Sequence, residues 1–140
     1  MSITLDRLGP LCTVQDLGRR GLAHLGVPGS GAADRPAARA ANRLLGNPED
    51  AALLEITLGG LAFTTSDPLT MALTGAPCPI SIDGKPHPAG RVVQAGAGAD
   101  VHIGMPPHGL RSYLAVQGGL QVPTLLGSAS QDMLSGIVPC

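Results

Sequence analysis

VQDLGRRGLAHLGVPGSGAADRPAARAANRLLGNPEDAALLE, residues 14–55, contains the clearest helix signal in the chain, preceded by a run of closely spaced glycines. Asp34 can cap a helix, because its carboxylate accepts hydrogen bonds from first-turn N–H groups. Pro36 fits the first turn, where its missing N–H costs little. Gly46 suits the position just after a helix, where φ is often positive. We therefore predict one principal α-helix over about residues 34–46.

The predicted helix has one apolar face and one basic face. The apolar residues recur at helical spacing, which is typical of a face packed on a core; they are Ala37, Ala40, Ala41, Leu44 and Leu45. Arg35, Arg39 and Arg43 lie on the opposite face. Like charges at i and i+4 are unfavourable without an acidic partner, and Glu55 is our candidate for that partner.

The rest of the chain consists of short strand signals separated by turns. Residues 53–58 alternate between apolar and polar side chains, and Asp83-Gly84 is a hairpin signal. Gly59-Gly60 is a tight-turn signal. Further strands are predicted over residues 2–5, 61–64, 69–74, 79–82, 91–94, 100–103 and 111–116. Strands at this close spacing indicate a mainly β fold, a small β-barrel or sandwich with one helix across it.

Composition limits the class of protein and its partners. The 140 residues are 44% hydrophobic and 14% charged, as expected for a single globular domain. The net charge is −1 and tryptophan is absent, which argues against nucleic-acid binding. No apolar run is long enough for a membrane span. The three cysteines have no metal-binding spacing, and no signal peptide is evident, so we expect a cytoplasmic protein.

Several common catalytic motifs are missing. The sequence contains no Walker-type phosphate loop and no GxSxG nucleophile elbow. The four histidines do not form a pair at metal-ligand spacing, and we expect no metal. Cys12 follows an apolar residue and has no histidine beside it, which favours a buried, inert thiol. The sequence therefore leaves the catalytic residue unknown.

Two polar clusters are the candidate binding residues. Carboxylate and amide groups beside glycine loops suit hydrogen bonding to a small polar ligand such as an amide or ureide. The alternative is that these residues only cap and anchor the helix, as Asp34 does. The six candidates are Gln15, Asp16 and Arg19 in the first cluster and Ser30, Asp34 and Asn42 in the second.

Six segments resemble one known family. They are TVQDLGRRG (13–21), GVPGSGAAD (26–34), ANRLLGNPEDAALLEITLGG (41–60), ALTGA (72–76), DGKP (83–86) and RSYLAVQGGLQVPTLLGSAS (111–130). In matching order, they resemble the carboxyltransferase A/B-subdomain family. That family includes the C subunit of bacterial 5-oxoprolinase, proteins described as allophanate hydrolase subunit 2, and part of urea carboxylase. Ala33 replaces a frequent methionine, and Ala129 replaces a frequent arginine.

The resemblance implies a cyclophilin-like β-barrel, in agreement with the strand pattern. It also implies a heteromeric 5-oxoprolinase that hydrolyses 5-oxo-L-proline to L-glutamate. The partners would be a B-type subunit with carboxyltransferase C/D subdomains and an A-type subunit that is an amidohydrolase, and ATP would be used through a partner. This chain would bind no cofactor itself. Family members are about twice as long, so we expect the N-terminal part of a truncated subunit that is inactive alone.

Two other functions remain open on this resemblance. One is a component of a biotin-dependent carboxyltransferase that acts on urea, and the other is a non-catalytic regulatory module that antagonises a kinase inhibitor. In the 5-oxoprolinase hypothesis, binding residues would line a site shared with the partner, and Asn42 would position Asp34. Their role would be to bind and orient the substrate amide rather than to attack it.

Overall fold

The computed structural model describes residues 3–7, 9–15 and 33–120, and these form ten strands and one helix. In chain order they are β1 Ile3–Arg7, β2 Leu11–Gln15, α1 Arg35–Leu44, β3 Leu53–Thr57, β4 Leu61–Thr65, β5 Leu69–Gly75, β6 Ile80–Ile82, β7 Lys85–His87, β8 Val92–Ala95, β9 Asp100–Ile103 and β10 Arg111–Val116. Within this part of the chain, no helix has the length and apolar character needed to cross a membrane.

The strands form two antiparallel sheets of five strands each. The first sheet has the order β1-β4-β9-β6-β7 and the second the order β2-β3-β10-β5-β8. One apolar cluster joins them, with Phe63 and Val101 from the first sheet and Ile56, Met71 and Leu114 from the second. The mainly β prediction with one principal helix is confirmed. The described strands form two open sheets around one core, roughly as in a small barrel, rather than one closed ladder.

The helix covers the outer face of the second sheet. Its buried apolar side chains pack on that sheet in a cluster made of Ala38, Ala41, Leu45, Leu53, Ala72, Tyr113 and Ala115. The predicted apolar face was partly wrong, because Leu44 is 45% exposed. Asn42 is only 1% exposed, although its side chain is polar. In a helix rich in alanine, the sequence does not specify sharply which face is buried, since small side chains also fit at the edges of the apolar face.

Both helix ends follow the sequence signals. The Asp34 carboxylate accepts a hydrogen bond from the Ala37 N–H at 3.1 Å, and Gly46 has φ +71°. The predicted partner of the arginines was wrong. Arg39 Nε lies 3.9 Å from Glu49 Oε1, and Arg43 Nε lies 3.3 Å from Glu49 Oε2. Glu49 follows the helix closely, so it reaches this face, whereas β3 holds Glu55 beneath the helix start.

The turns also follow the glycine signals. Asp83 and Gly84 both have positive φ, and they join β6 to β7 as a two-residue hairpin. Gly59-Gly60 also turns the chain with positive φ. This turn does not join paired strands, because β3 belongs to the second sheet and β4 to the first. It carries the chain from one sheet to the other.

Cys12 gives the fold a testable pH dependence. Its side chain is in the core, and burial, with a smaller contribution from the Glu55 charge, raises its pKa from 9.0 to about 12. As pH rises, the unfolded thiol therefore loses its proton before the folded one does. Below pH 9.0, ionisation of this thiol should not reduce the free energy of unfolding. Above that pH, the free energy of unfolding should fall by up to about 1.4 kcal/mol per pH unit.

Urea denaturation at about pH 8 and about pH 10.5 measures this loss. Cys12→Ala is the control, since it removes the thiol and keeps a small apolar side chain. The variant should lose less stability between the two pH values than the unsubstituted protein. Equal losses would mean that Cys12 ionises as easily in the folded protein as in the unfolded chain.

Candidate functional site

A row of polar side chains crosses the outer face of the second sheet. Thr13 on β2 pairs with Glu55 on β3, Glu55 pairs with Tyr113 on β10, and Tyr113 pairs with Thr74 on β5. Because strand side chains alternate, these four point away from the core that their neighbours fill. The row underlies the start of α1, where the Thr74 hydroxyl donates to the Ala37 carbonyl oxygen at 2.7 Å.

Glu55 and Tyr113 anchor the start of the helix to the sheet. The Tyr113 hydroxyl donates to Glu55 Oε2 at 2.7 Å and accepts a hydrogen bond from the Asp34 N–H at 2.8 Å. The same Glu55 oxygen accepts a hydrogen bond from the Ala33 N–H at 2.8 Å. Two backbone N–H groups that precede the helix are satisfied in this way. The position of Asp34 is therefore fixed by side chains from two central strands.

Arg111 extends this network along β10. It lies two residues before Tyr113 and therefore on the same face of the sheet. Its Nε is 3.8 Å from Glu55 Oε1, and its side chain is 34% exposed, against 10% for that of Glu55. The glutamate thus lies beneath the guanidinium, and part of the arginine remains accessible to a ligand.

At the centre of the network is a neutral hydroxyl beside a glutamate. Burial raises the pKa of Tyr113, and its hydrogen bond to Glu55 raises it further. At neutral pH the tyrosine consequently keeps its proton and donates it to the glutamate in a hydrogen bond. We conclude that Glu55 and Tyr113 hold the site in shape, and that Tyr113 is poorly suited to release a proton.

A cleft of about 320 Å³ opens beside this network. It is lined by Ala33, Asp34, Gly75, Ala76, Gly109, Leu110 and Arg111. Asp34 and Arg111 are the charged residues of this lining, and they come from different parts of the chain. These two residues, both in the described part of the chain, do not form an ion pair with each other. The cleft thus offers a ligand both a carboxylate acceptor and a guanidinium donor.

The candidate residues from the first polar cluster are largely outside the described part. Asp16 and Arg19 are not among the residues that the structure describes, and neither is Ser30 from the second cluster. Gln15, the remaining residue of the first cluster, is the last residue of β2. It is 4% exposed, and its Nε2 donates to Thr13 Oγ1 at 2.9 Å, so it is close to the polar row.

The structure separates two residues of the second cluster. Asp34 lines the cleft at the start of the helix. Asn42 is near the other end, where its Nδ2 donates to the carbonyl oxygens of Glu49 and Ala51 at 3.3 and 3.0 Å. It also accepts a hydrogen bond from Asn47 Nδ2 at 3.1 Å. None of these bonds reaches Asp34, so Asn42 anchors the segment after the helix and does not contact the residue it was expected to position.

Sequence reasoning missed Glu55, Tyr113 and Arg111 as site residues. Glu55 was interpreted as a partner for helix arginines, and the last strand was interpreted only as a strand. One signal was available in the sequence. Arg111 and Tyr113 are two residues apart in a strand, so they lie on the same face of the sheet, opposite to the apolar Leu114. What the sequence lacked was the register that brings Glu55 and Tyr113 together across two strands.

A second depression, of about 490 Å³, lies on the first sheet. It is lined by Asp6, Arg7, Ala62, Thr64, Asp100 and His102. Several of its polar groups contact one another: Thr64 Oγ1 donates to Asp6 Oδ2 at 2.8 Å, and His102 Nε2 lies 3.1 Å from Asp100 Oδ2. These side chains are already paired, so they are less available to a ligand than those of the cleft.

Comparison with known proteins identifies relatives over most of the chain. The family model described as carboxyltransferase domain, subdomain A and B, matches residues 25–140. The 5-oxoprolinase C subunit of Escherichia coli (strain K12) is 44% identical over 135 residues, which cover 96% of this chain and 44% of that protein. The urea amidolyase of Lachancea kluyveri is 38% identical over 130 residues, which cover 92% of this chain and 7% of that protein.

A solved structure has the same fold. The crystal structure of TTHA0988 in space group P6522 superposes with a TM-score of 0.88 at 36% identity, covering 95% of this chain and 50% of that one. The chain therefore spans half or less of each of these relatives. The crystal structure of the K. lactis urea amidolyase also matches, with a TM-score of 0.88 at 32% identity over 92% of this chain and 8% of that one. The fold and the sequence comparisons therefore both find urea amidolyases.

Proposed function

Since this chain belongs to the carboxyltransferase domain family, subdomains A and B, we propose that it is part of the C subunit of a 5-oxoprolinase. The complex would hydrolyse 5-oxo-L-proline to L-glutamate with ATP, in the cytoplasm. A B-type subunit and an A-type amidohydrolase would be its partners, and ATP would be used by a partner. The observation that carries this proposal is the 44% identity to a 5-oxoprolinase C subunit over nearly the whole chain.

The cleft beside α1 supports an amide substrate. Asp34 offers a carboxylate that can accept a hydrogen bond from a lactam N–H, and Arg111 offers a donor for an oxygen. Of the sequence candidates, we propose Gln15, Asp16, Arg19, Ser30 and Asp34 as substrate-binding residues, and Asp34 has the strongest geometric support. Asn42 would contribute only indirectly, by anchoring the segment after α1. The partner would complete the site, so this chain alone should be inactive.

Asp34 is the residue on which the proposal is tested. Asp34→Asn keeps a good helix cap and the side-chain shape but removes the charge. In the variant the single amide oxygen is used by the Ala37 N–H, and the NH2 group left for the substrate cannot accept from a lactam N–H. In the complex with its partners, we therefore expect kcat/KM for ATP-dependent glutamate formation to fall about a hundredfold, since a substrate that loses an orienting contact reacts far more slowly. Glutamate release from 5-oxo-L-proline is the measurement.

Asp50→Asn is the matched control. Asp50 is another exposed aspartate, and it lies beyond the opposite end of the helix. Its replacement should leave the rate unchanged. Full activity of Asp34→Asn would remove Asp34 from the site, whereas an inactive unsubstituted complex would contradict the 5-oxoprolinase function itself.

A second candidate function is carboxyl transfer from biotin to urea. The identity to urea amidolyase over 92% of the chain favours it. The cleft would offer the ureido ring of biotin the same acceptor and donor, Asp34 and Arg111. Co-purification with a biotin carboxylase, together with biotin-dependent urea carboxylation, would support this function. Recovery of a kinase inhibitor as the stable partner would instead support the regulatory module.

A further inference from the structure

We propose that Arg111 is a specificity residue that binds the carboxylate of the substrate, while Asp34 binds the amide N–H of the same molecule. This inference rests on the proposed function and extends it. It assigns Arg111 the role of distinguishing cyclic amides that carry a carboxylate from neutral ones. A neutral ureide would leave the arginine without its anionic partner.

Arg111 has unused hydrogen-bonding capacity. Its Nε is 3.8 Å from Glu55 Oε1, which is beyond hydrogen-bonding distance. Among the described residues, its guanidinium makes no hydrogen bond. A guanidinium presents N–H groups in a planar fork that matches a carboxylate. Because the side chain is 34% exposed at the cleft, this fork is accessible to a ligand.

Glu55 orients Arg111 without forming a hydrogen bond to its guanidinium. Glu55 Oε2 is held by the Tyr113 hydroxyl and the Ala33 N–H, at 2.7 and 2.8 Å. These two donors stabilise the carboxylate in its place beneath the arginine. Glu55 is therefore a positioning residue, and one of its carboxylate oxygens is stabilised by two hydrogen bonds that do not involve the arginine.

A ligand in this cleft must interact with a carboxylate and a guanidinium at the same time. Asp34 and Arg111 both line it, yet they make no ion pair in the described part of the chain. A lactam with a carboxylate on its ring offers an N–H to the first and an anion to the second. Leu110, which is 46% exposed, provides an apolar wall for the ring carbons. The volume of about 320 Å³ is at the lower end for small-molecule sites, which suits a ligand of this size.

Binding of two matched lactams tests this assignment. L-5-Oxoproline and 2-pyrrolidinone share the ring amide, but the second lacks the carboxylate. We expect the protein to prefer L-5-oxoproline by roughly tenfold or more in an NMR titration, as the loss of a charge-assisted hydrogen bond predicts. Arg111→Gln should abolish this preference by weakening L-5-oxoproline alone, and Arg111→Lys should restore part of it.

Arg91→Gln is the control, because Arg91 is an exposed arginine that does not line the cleft. It should keep the preference. A preference that survives in Arg111→Gln, equal binding of the two lactams, or no binding of either would overturn the inference. Preferential binding of urea would also overturn it. An arginine-dependent preference in a protein whose complex releases no glutamate would uphold the subsite and refute the proposed reaction.

Discussion

Gly59→Ala is expected to destabilise the protein by roughly 4 kcal/mol or more, as severe backbone clashes do. Gly59 has φ +62°, a conformation that side chains with a Cβ rarely adopt. A Cβ at this position would lie 2.1 Å from the carbonyl oxygen of Gly104 and 2.6 Å from its carbon. Both are backbone atoms, so neither can move without shifting the loop after β9. Urea denaturation of the two proteins measures the difference.

Gly84→Ala separates the clash from the strain. Gly84 also has positive φ, +81°, but no atom lies within 4 Å of where a Cβ would stand. Its replacement should cost only the backbone strain, about 1–2 kcal/mol. If the two alanine variants were equally stable, the close approach of Gly59 to Gly104 would not exist, and the chain would cross between the sheets by a different path.

The second large effect is expected for the pair Glu55 and Tyr113. Glu55→Leu leaves the Tyr113 hydroxyl and the Ala33 N–H without their acceptor, and should cost about 3 kcal/mol. Tyr113→Phe removes the acceptor of the Asp34 N–H and should cost about 2 kcal/mol. The double variant should lose about 1–2 kcal/mol less than the sum, because the shared hydrogen bond can be lost only once.

Thr64→Val is a control for this cycle. It removes a hydrogen bond of similar length, from Thr64 Oγ1 to Asp6 Oδ2 at 2.8 Å, but on the exposed face of the first sheet. We expect less than about 0.5 kcal/mol for that change. Strict additivity of the Glu55 and Tyr113 changes would show that the two residues act independently and that the start of the helix is not anchored through them.

Local signals in the sequence were sufficient for most of the fold. The cap at Asp34 and the glycine at position 46 define the helix, because capping chemistry depends on near neighbours. Asp83-Gly84 defines its hairpin for the same reason. The strand β2 was not predicted, although its apolar residues Cys12 and Val14 alternate with the polar Thr13 and Gln15. This alternation covers only a few residues, and the closely spaced glycines that follow it indicate a loop.

The site depends on contacts that local patterns do not contain. Glu55 and Tyr113 are 58 residues apart in the chain, and only the order of strands in the second sheet brings them together. Asp34 was predicted as a cap and as a candidate site residue, but Arg111, which lines the same cleft, was not considered. A pairing across β3 and β10 is decided by the packing of the whole sheet.

The most direct test of the central claim is a crystal structure of the protein with L-5-oxoproline bound. We predict the lactam in the cleft beside α1, with its carboxylate on Arg111 and its N–H on Asp34. Binding on the first sheet, among Asp6, Thr64 and His102, would contradict the assignment of the site. So would a ligand in the cleft whose carboxylate points away from Arg111.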